Sequence, residues 1–235
     1  MKVWQLIRQL RPRGLLHRLR EDIWETKYFF ELRCDLQHEL PGVVPAKLPI
    51  EMQPVDPRTF TGFSEELARV DADNYLKVLL RTWYCSAGVE TLYVGFDGDQ
   101  PAYAQWLATP EGQRRIPRVL PGRFPALNPD ELLLEGAYTF VAYRRLGLMR
   151  DGMAQLLRFA LKSGASAVIT YVAVDNIPSL RGCADVGFAP HRVRVSTRRV
   201  LRWTKNRPVG EDDWRLWETA TAKAAQPAHA SISER

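Results

Sequence analysis

The chain has 235 residues, 46% of them hydrophobic, and a net charge of +6. That length and apolar content fit one large domain, or one domain with appendages, and a sizeable core. Three cysteines without CxxC spacing and four scattered histidines point away from a disulfide scaffold and from a metal site.

The first twenty residues carry six basic side chains (Lys2, Arg8, Arg11, Arg13, Arg18, Arg20) and no acidic one. The remaining basic and acidic residues balance, so the excess charge belongs to an N-terminal arm. No run approaches the ~18–20 apolar residues needed to span a bilayer. Arginines interrupt the N-terminus too often for a signal peptide. The reading is a cytoplasmic protein.

Residues 1–33 read as two amphipathic helical pieces broken at Arg11-Pro12-Arg13-Gly14, with Val3, Ile7 and Leu10, then Leu15, Leu16, Leu19 and Ile23, at helical spacing. Such a basic arm, with Trp4 and Trp24 beside its apolar stripes, packs on the domain or a second subunit, or lies on an anionic membrane. Residues 41–57 are Pro-rich and lead into a short strand at Ile50–Gln53. Residues 63–86 read as one helix with Leu67, Val70, Tyr75, Val78, Leu79 and Tyr84 inward. Thr91–Ala108 reads as a hairpin turning at Asp97-Gly98. Residues 110–130 lack periodicity and form a long loop.

Glu131–Phe140 is an apolar strand. The segment from Leu148 to Gly164 is a helix, with Met149, Met153, Leu156, Leu157 and Ala160 on one face and Gly164 as its stop. Ala167–Val174 is a β-branched strand. Ile177 opens a short helix with Pro178 in its first turn. His191–Trp203 alternates as a final strand, basic on one face. Interleaved arginines there read as a solvated sheet face, so nucleic acid is not an expected partner. The chain from about residue 206 is expected to fray. The expected organisation is a helical arm over 1–40, an α/β (α+β) domain over 41–206 and a tail over 207–235.

Between strand and helix stands "YRRLGLM", Tyr143–Met149. A helix N-terminus presents unpartnered N–H groups backed by the helix dipole, which suits an anion. Gly147 removes a Cβ from the approach, and Arg144, Arg145 and Arg150 add charge suited to phosphate. Further on, Asn176, Ser179 and Gly187-Phe188 follow the next strand.

This order resembles the core of the Gcn5-related N-acetyltransferase superfamily (GNAT): strand, Arg/Gln-x-x-Gly-x-Gly/Ala turn, helix, strand, Asn-x-x-Ser, Gly-Phe. The match runs from Glu131 to Phe188. It implies a mostly antiparallel central sheet flanked by helices, with an acyl-CoA, acetyl-CoA foremost, as co-substrate and no metal. The turn amides and residues Arg144, Arg145, Leu146, Gly147, Leu148, Met149 and Arg150 would cradle the CoA diphosphate. Ala137, Tyr138 and Thr139 would offer backbone groups to the pantetheine arm. Asn176 and Ser179 would hold that arm or start the following helix.

The implied reaction is direct N-acyl transfer to a primary amine. Glu135 is the expected general base, with Glu131 as fallback and Tyr138 relaying a proton through water. Cys183 stands where many members carry a proton-donating tyrosine, and Met149 where many have Gly or Ala. The basic arm, "FELRCDL" before a Pro-rich link, and a turn lacking the last glycine are similar to members associated with bacterial polysaccharide and cell-surface biosynthesis. That likeness implies an amino sugar or other cell-surface precursor as acceptor, with residues 1–33 at the inner membrane face and a homodimer as a further arrangement. The alternatives are a carrier-protein donor, or a non-catalytic CoA-binding or scaffold protein.

Overall fold

The computed structural model describes residues 26–37, 40–89, 91–113, 126–199 and 201–222. Eight strands form one sheet: β1 (Thr26–Asp35), β2 (Met52–Val55), β3 (Leu92–Asp97), β4 (Gln100–Ala108), β5 (Glu131–Thr139), β6 (Ala167–Ala173), β7 (Ala189–Arg199) and β8 (Leu201–Pro208). Their order is β2-β3-β4-β5-β6-β1-β7-β8. Every neighbouring pair is antiparallel except β5 and β6. Helices are α1 (Gly62–Leu67), α2 (Ala72–Ser86), α3 (Pro110–Gln113), α4 (Leu148–Lys162), α5 (Ile177–Asp185) and α6 (Glu211–Thr221). The mostly antiparallel, helix-flanked sheet is the architecture expected from the sequence.

Two cores lie on opposite sheet faces. Leu148, Met153, Leu156 and Leu157 of α4, Leu180 of α5 and Trp217 of α6 pack with Phe30, Leu32, Val168 and Val193 of the sheet. On the other face Phe63 of α1 and Val78 and Tyr84 of α2 pack with Trp106, Leu133, Tyr138 and Phe140. The β-branched and alternating apolar positions explain the strands.

Five expectations change. Residues 26–33 are not helical: they belong to β1, which sits inside the sheet between β6 and β7. Phe30, Leu32 and Cys34 alternate inward, at about 1.5–3 kcal/mol for each large apolar side chain buried. The preceding residues of the arm lie outside the described residues.

The single helix over 63–86 is two, because the Asp71 side chain accepts from Asn74 N and caps a fresh start. The chain beyond 206 does not fray at once. It continues β8 and forms α6, whose Trp217 ring meets Phe30 edge-on with centroids 5.9 Å apart. The basic strand is likewise a β7–β8 pair, and Pro110–Gln113 of the expected loop is a helical turn.

Candidate active site

The site begins where the sheet splits. β5 and β6 pair in parallel only from Glu131↔Ala167 to Leu134↔Thr170. Beyond that point β5 carries a bulge: its β4 partners step from Trp106↔Glu135 to Ala104↔Tyr138. Gly136 makes the bulge possible, because its φ is +69° and a Cβ there would stand 2.7 Å from Trp106 Cε3. The limb Gly136–Thr139 thus leaves β6, whose other edge stays paired to β1 as far as Phe29↔Ala173.

The limb ends in the turn singled out by sequence. A 3-10 turn spans Val141–Tyr143, Arg145 and Gly147 take φ of +65° and +83°, and α4 starts at Leu148. Backbone N–H groups from Arg145 to Arg150 have no hydrogen-bond partner among the described residues, and the ladder resumes when Asp151 N donates to Gly147 O at 3.2 Å. Six successive donors at the positive end of a fifteen-residue helix make an anion cradle. The Pro-rich link braces this turn: Lys47 N donates to Leu146 O at 2.9 Å, and Ala46 Cα lies 3.6 Å from where a Gly147 Cβ would be.

The side chains around the turn divide their work. Leu146 and Leu148 pack into the core, leaving their amides to the turn. Met149 turns towards α5, its Cε 3.5 Å from the Cβ position of Gly182. Arg144 donates to Asn74 Oδ1 at 2.9 Å and lies 5.9 Å from the Tyr138 ring centroid. Arg145 is exposed. Arg150 reaches the other way and pairs with Asp185 at 3.0 Å, tying α4 to α5. Asn176 caps α5, its Oδ1 accepting from Ser179 N at 3.4 Å.

Glu135 is 8% exposed and stands at the split. It is opposite Trp106 and two residues from Leu133, which places it on the sheet face covered by α1 and α2. Glu131 lies at the far end of β5, about 13 Å away along the strand. It pairs with Arg33 and accepts from Asn128 N. Burial acts to raise its pKa, but the Asn128 amide and the Arg33 guanidinium outweigh that and hold it below the usual carboxylate range.

Tyr138 donates to Glu66 Oε1 at 3.0 Å, and burial followed by the Glu66 carboxylate pushes its pKa up to about 12. Cys183 is 1% exposed in the α4–α5 core, where burial pushes its thiol up to about 12.

Two residues escaped the sequence reading. Glu66 of α1, 6% exposed, accepts from both Tyr138 Oη and Val141 N. Arg81 of α2 donates to the carbonyls of Gly136 and Ala137. The available signal was spacing: Arg81 follows Val78 by three residues and precedes Cys85 by four, so a charge sits on the apolar stripe of α2.

No protein-family model matches the chain, and no curated protein matches it in sequence. Comparison with solved structures finds GNAT folds. An acetyltransferase of the GNAT family from Colwellia psychrerythraea superposes with a TM-score of 0.50 at 13% identity, over 77% of this chain and 60% of that one. The GCN5-related glucosamine N-acetyltransferase region of a fungal multi-domain β-N-acetylglucosaminidase gives 0.50 at 14% identity, over 82% of this chain and 22% of that one. The chain thus spans less than two thirds of either protein's length, and at these identities the likeness is one of fold. The fold class is GNAT-like: a mixed, mostly antiparallel sheet with helices on both faces, and a cradle at the strand–helix turn.

Proposed function

We propose that this protein is an N-acyltransferase that moves an acyl group, acetyl foremost, from acyl-CoA to a primary amine. The observation that carries this reading is the run of six unpartnered amides from Arg145 to Arg150, placed directly beyond the split between β5 and β6. A diphosphate fits those amides, with Arg144 and Arg145 beside them. The thioester arm would then follow the open limb of β5.

In the reaction the amine nitrogen attacks the thioester carbon. The C–N bond forms, the C–S bond breaks, and CoA leaves as the thiolate. Glu135, at the split, takes the proton that the amine loses. Tyr138 is held by Glu66, and its proposed part is to shape the wall, with any proton relay passing through that pair. The burial of Cys183 supports a packing role over proton donation. Asn176 and Ser179 start α5, and Thr139 closes the limb. The acceptor proposed is an amino sugar or related cell-surface precursor. The basic side chains ahead of β1 (Lys2, Arg8, Arg11, Arg13, Arg18 and Arg20) would bring the enzyme to the inner membrane face, at about 1 kcal/mol per basic residue near an anionic surface. No helix among the described residues is long and apolar enough to cross a membrane.

The test is release of free CoA from acetyl-CoA in the presence of a panel of amines including glucosamine. Amine-dependent release that Glu135→Gln abolishes supports the reading. Tight acyl-CoA binding with no release for any amine favours the non-catalytic binding protein.

A further inference from the structure

The β7–β8 hairpin concentrates like charge. From Val186 to Gly210 the chain holds seven arginines and lysines and no acidic residue. Three of the seven, towards the base of the hairpin, have partners inside the domain. Arg192 lies 4.0 Å from Glu31, the Arg194 guanidinium lies 5.4 Å from the Tyr171 ring centroid, and Arg207 pairs with Asp213. The other four, Arg198, Arg199, Arg202 and Lys205, fall in the last five register pairs before the turn, and the register sets Arg198 directly opposite Arg202. Like charges opposite one another on a sheet are destabilising. Neither strand offers a carboxylate to offset them. The neighbouring β1 adds Lys27 opposite Ser196, and its first carboxylate is Glu31, far down the ladder opposite Arg192.

The topology fixes where this charge stands. β1 pairs with β6 as far as Phe29↔Ala173 and with β7 as far as Thr26↔Thr197. The hairpin tip is therefore at the end of the sheet where β6 has parted from β5, with β7 two strands or about 10 Å from β6. β1 begins at this same end, so the stretch of sequence that holds the six basic residues of the arm connects there. Tyr28, opposite Val195, is half exposed beside it. Leu201 and Trp203 alternate with Arg202 in the strand that leaves the turn. Cations interleaved with an aliphatic and a tryptophan suit the surface of an anionic bilayer, where the ring sits at headgroup level and the cations meet lipid phosphates. A nucleic acid would use the charge but leave Leu201 without a role.

We propose that the tip of the β7–β8 hairpin is a contact surface for an anionic membrane, whose lipid phosphates supply the countercharge that neither strand carries. An arm alone would only tether the domain; a contact built into the sheet also orients it. The contact does not depend on the acyl-CoA reading. The orientation deepens that reading and rests on it: the split end of the sheet faces the bilayer, and the acceptor is taken from the membrane surface.

Flotation of the full chain with phosphatidylcholine vesicles, with and without phosphatidylglycerol, tests the contact. The wild type should bind the anionic vesicles alone, and less as salt rises. Arg198→Gln/Arg202→Gln should weaken that binding about 10–30-fold, at roughly fivefold per charge. Removing a like-charge pair should leave the urea-unfolding midpoint unchanged or raise it, so lost binding is not lost fold. If that variant does not fold, Arg199→Gln/Lys205→Gln is read in its place with the same expectation. Arg8→Gln/Arg11→Gln is measured beside it. Binding that this arm variant loses and the folded hairpin variant keeps overturns the proposal and leaves the arm as the tether. Equal binding to both kinds of vesicle also overturns it. No binding by the wild type overturns it together with the membrane role of the arm. Duplex DNA is the competing polyanion: tighter binding to DNA than to vesicles at the same salt, lost in the hairpin variant, assigns the tip to nucleic acid instead. Acetyl-CoA titration of the same proteins reads the acyl-CoA reading separately, and its failure leaves the vesicle result standing.

Discussion

Replacing Gly136 by alanine separates two costs that Gly147 does not share. Both glycines have positive φ, +69° and +83°. An alanine in that conformation costs about 1–2 kcal/mol. At Gly147 the new methyl meets Ala46 Cα at 3.6 Å, an ordinary contact, so that cost stands alone. At Gly136 the methyl meets Trp106 Cε3 at 2.7 Å and Cζ3 at 3.1 Å. Trp106 is fully buried, stacked on Phe63 at 5.7 Å and edge-on to Tyr84 at 5.4 Å, so it has nowhere to go. Its Nε1 also donates to Val89 O at 3.0 Å. Overpacking of this kind adds about 1–3 kcal/mol.

Gly136→Ala should therefore fall below Gly147→Ala by about 2 kcal/mol, or about 4–8 °C in Tm for a chain of this size. Urea and thermal unfolding followed by tryptophan fluorescence read both variants. Equal stability of the two would refute the account of the bulge, because it would mean that Trp106 does not confine residue 136.

Further expectations concern other parts of the fold and site. Leu32→Ala should cost about 2–5 kcal/mol in urea unfolding, as a fully buried core truncation does; a cost below about 0.5 kcal/mol would return the segment to a surface arm. Asp213 accepts from Arg207, which with Gly210 N holds its carboxyl below the usual range despite partial burial. A lowered folded pKa stabilises above the ordinary value of about 3.9 and ceases to do so as pH falls through the folded one. The stability gap between wild type and Arg207→Ala should accordingly be full above about pH 4 and close below it, which equilibrium unfolding against pH would show; a pH-independent gap would exclude the pair as its source. Glu135→Gln should lower turnover about 100-fold or more while leaving acyl-CoA affinity nearly unchanged, and steady-state kinetics with an active amine would reveal a fully active variant if Glu135 is not the base.

The stretch from β5 to α5 was legible because its signals are local. An apolar strand, a glycine in the left-handed region, a helix with a continuous apolar face and a capped second helix each leave their mark within about ten residues. Gly147 at φ +83° and Asn176 as the cap of α5 are where the spacing put them. β1 was not legible, because its reasons are distant. Thr26–Asp35 pairs with 167–173 and 189–197, while its near neighbours, Leu15 to Ile23, suggest helical spacing that runs on into it.

The site was legible as a turn and a strand but not as a clamp. Glu66 and Arg81 come from another layer of the molecule, and only the bulge at Gly136 gives Arg81 carbonyls to hold. The face of Glu135 was likewise undecidable from alternation alone, since the bulge shifts the register one residue further on. Arg150 reads as a phosphate ligand in sequence; what the linear order hides is Asp185 on the next helix, 3.0 Å from its guanidinium.

The central claim is that the amides around Gly147 hold the diphosphate of an acyl-CoA. Calorimetric titration of the wild type and of Gly147→Trp with acetyl-CoA, desulfo-CoA and a long-chain acyl-CoA tests it most directly. The account predicts micromolar binding of at least one of them by the wild type and a loss of about 10–100-fold in the variant, the worth of charge-assisted hydrogen bonds displaced by the indole. No binding of any of the three, or binding that Gly147→Trp leaves unchanged, would contradict it.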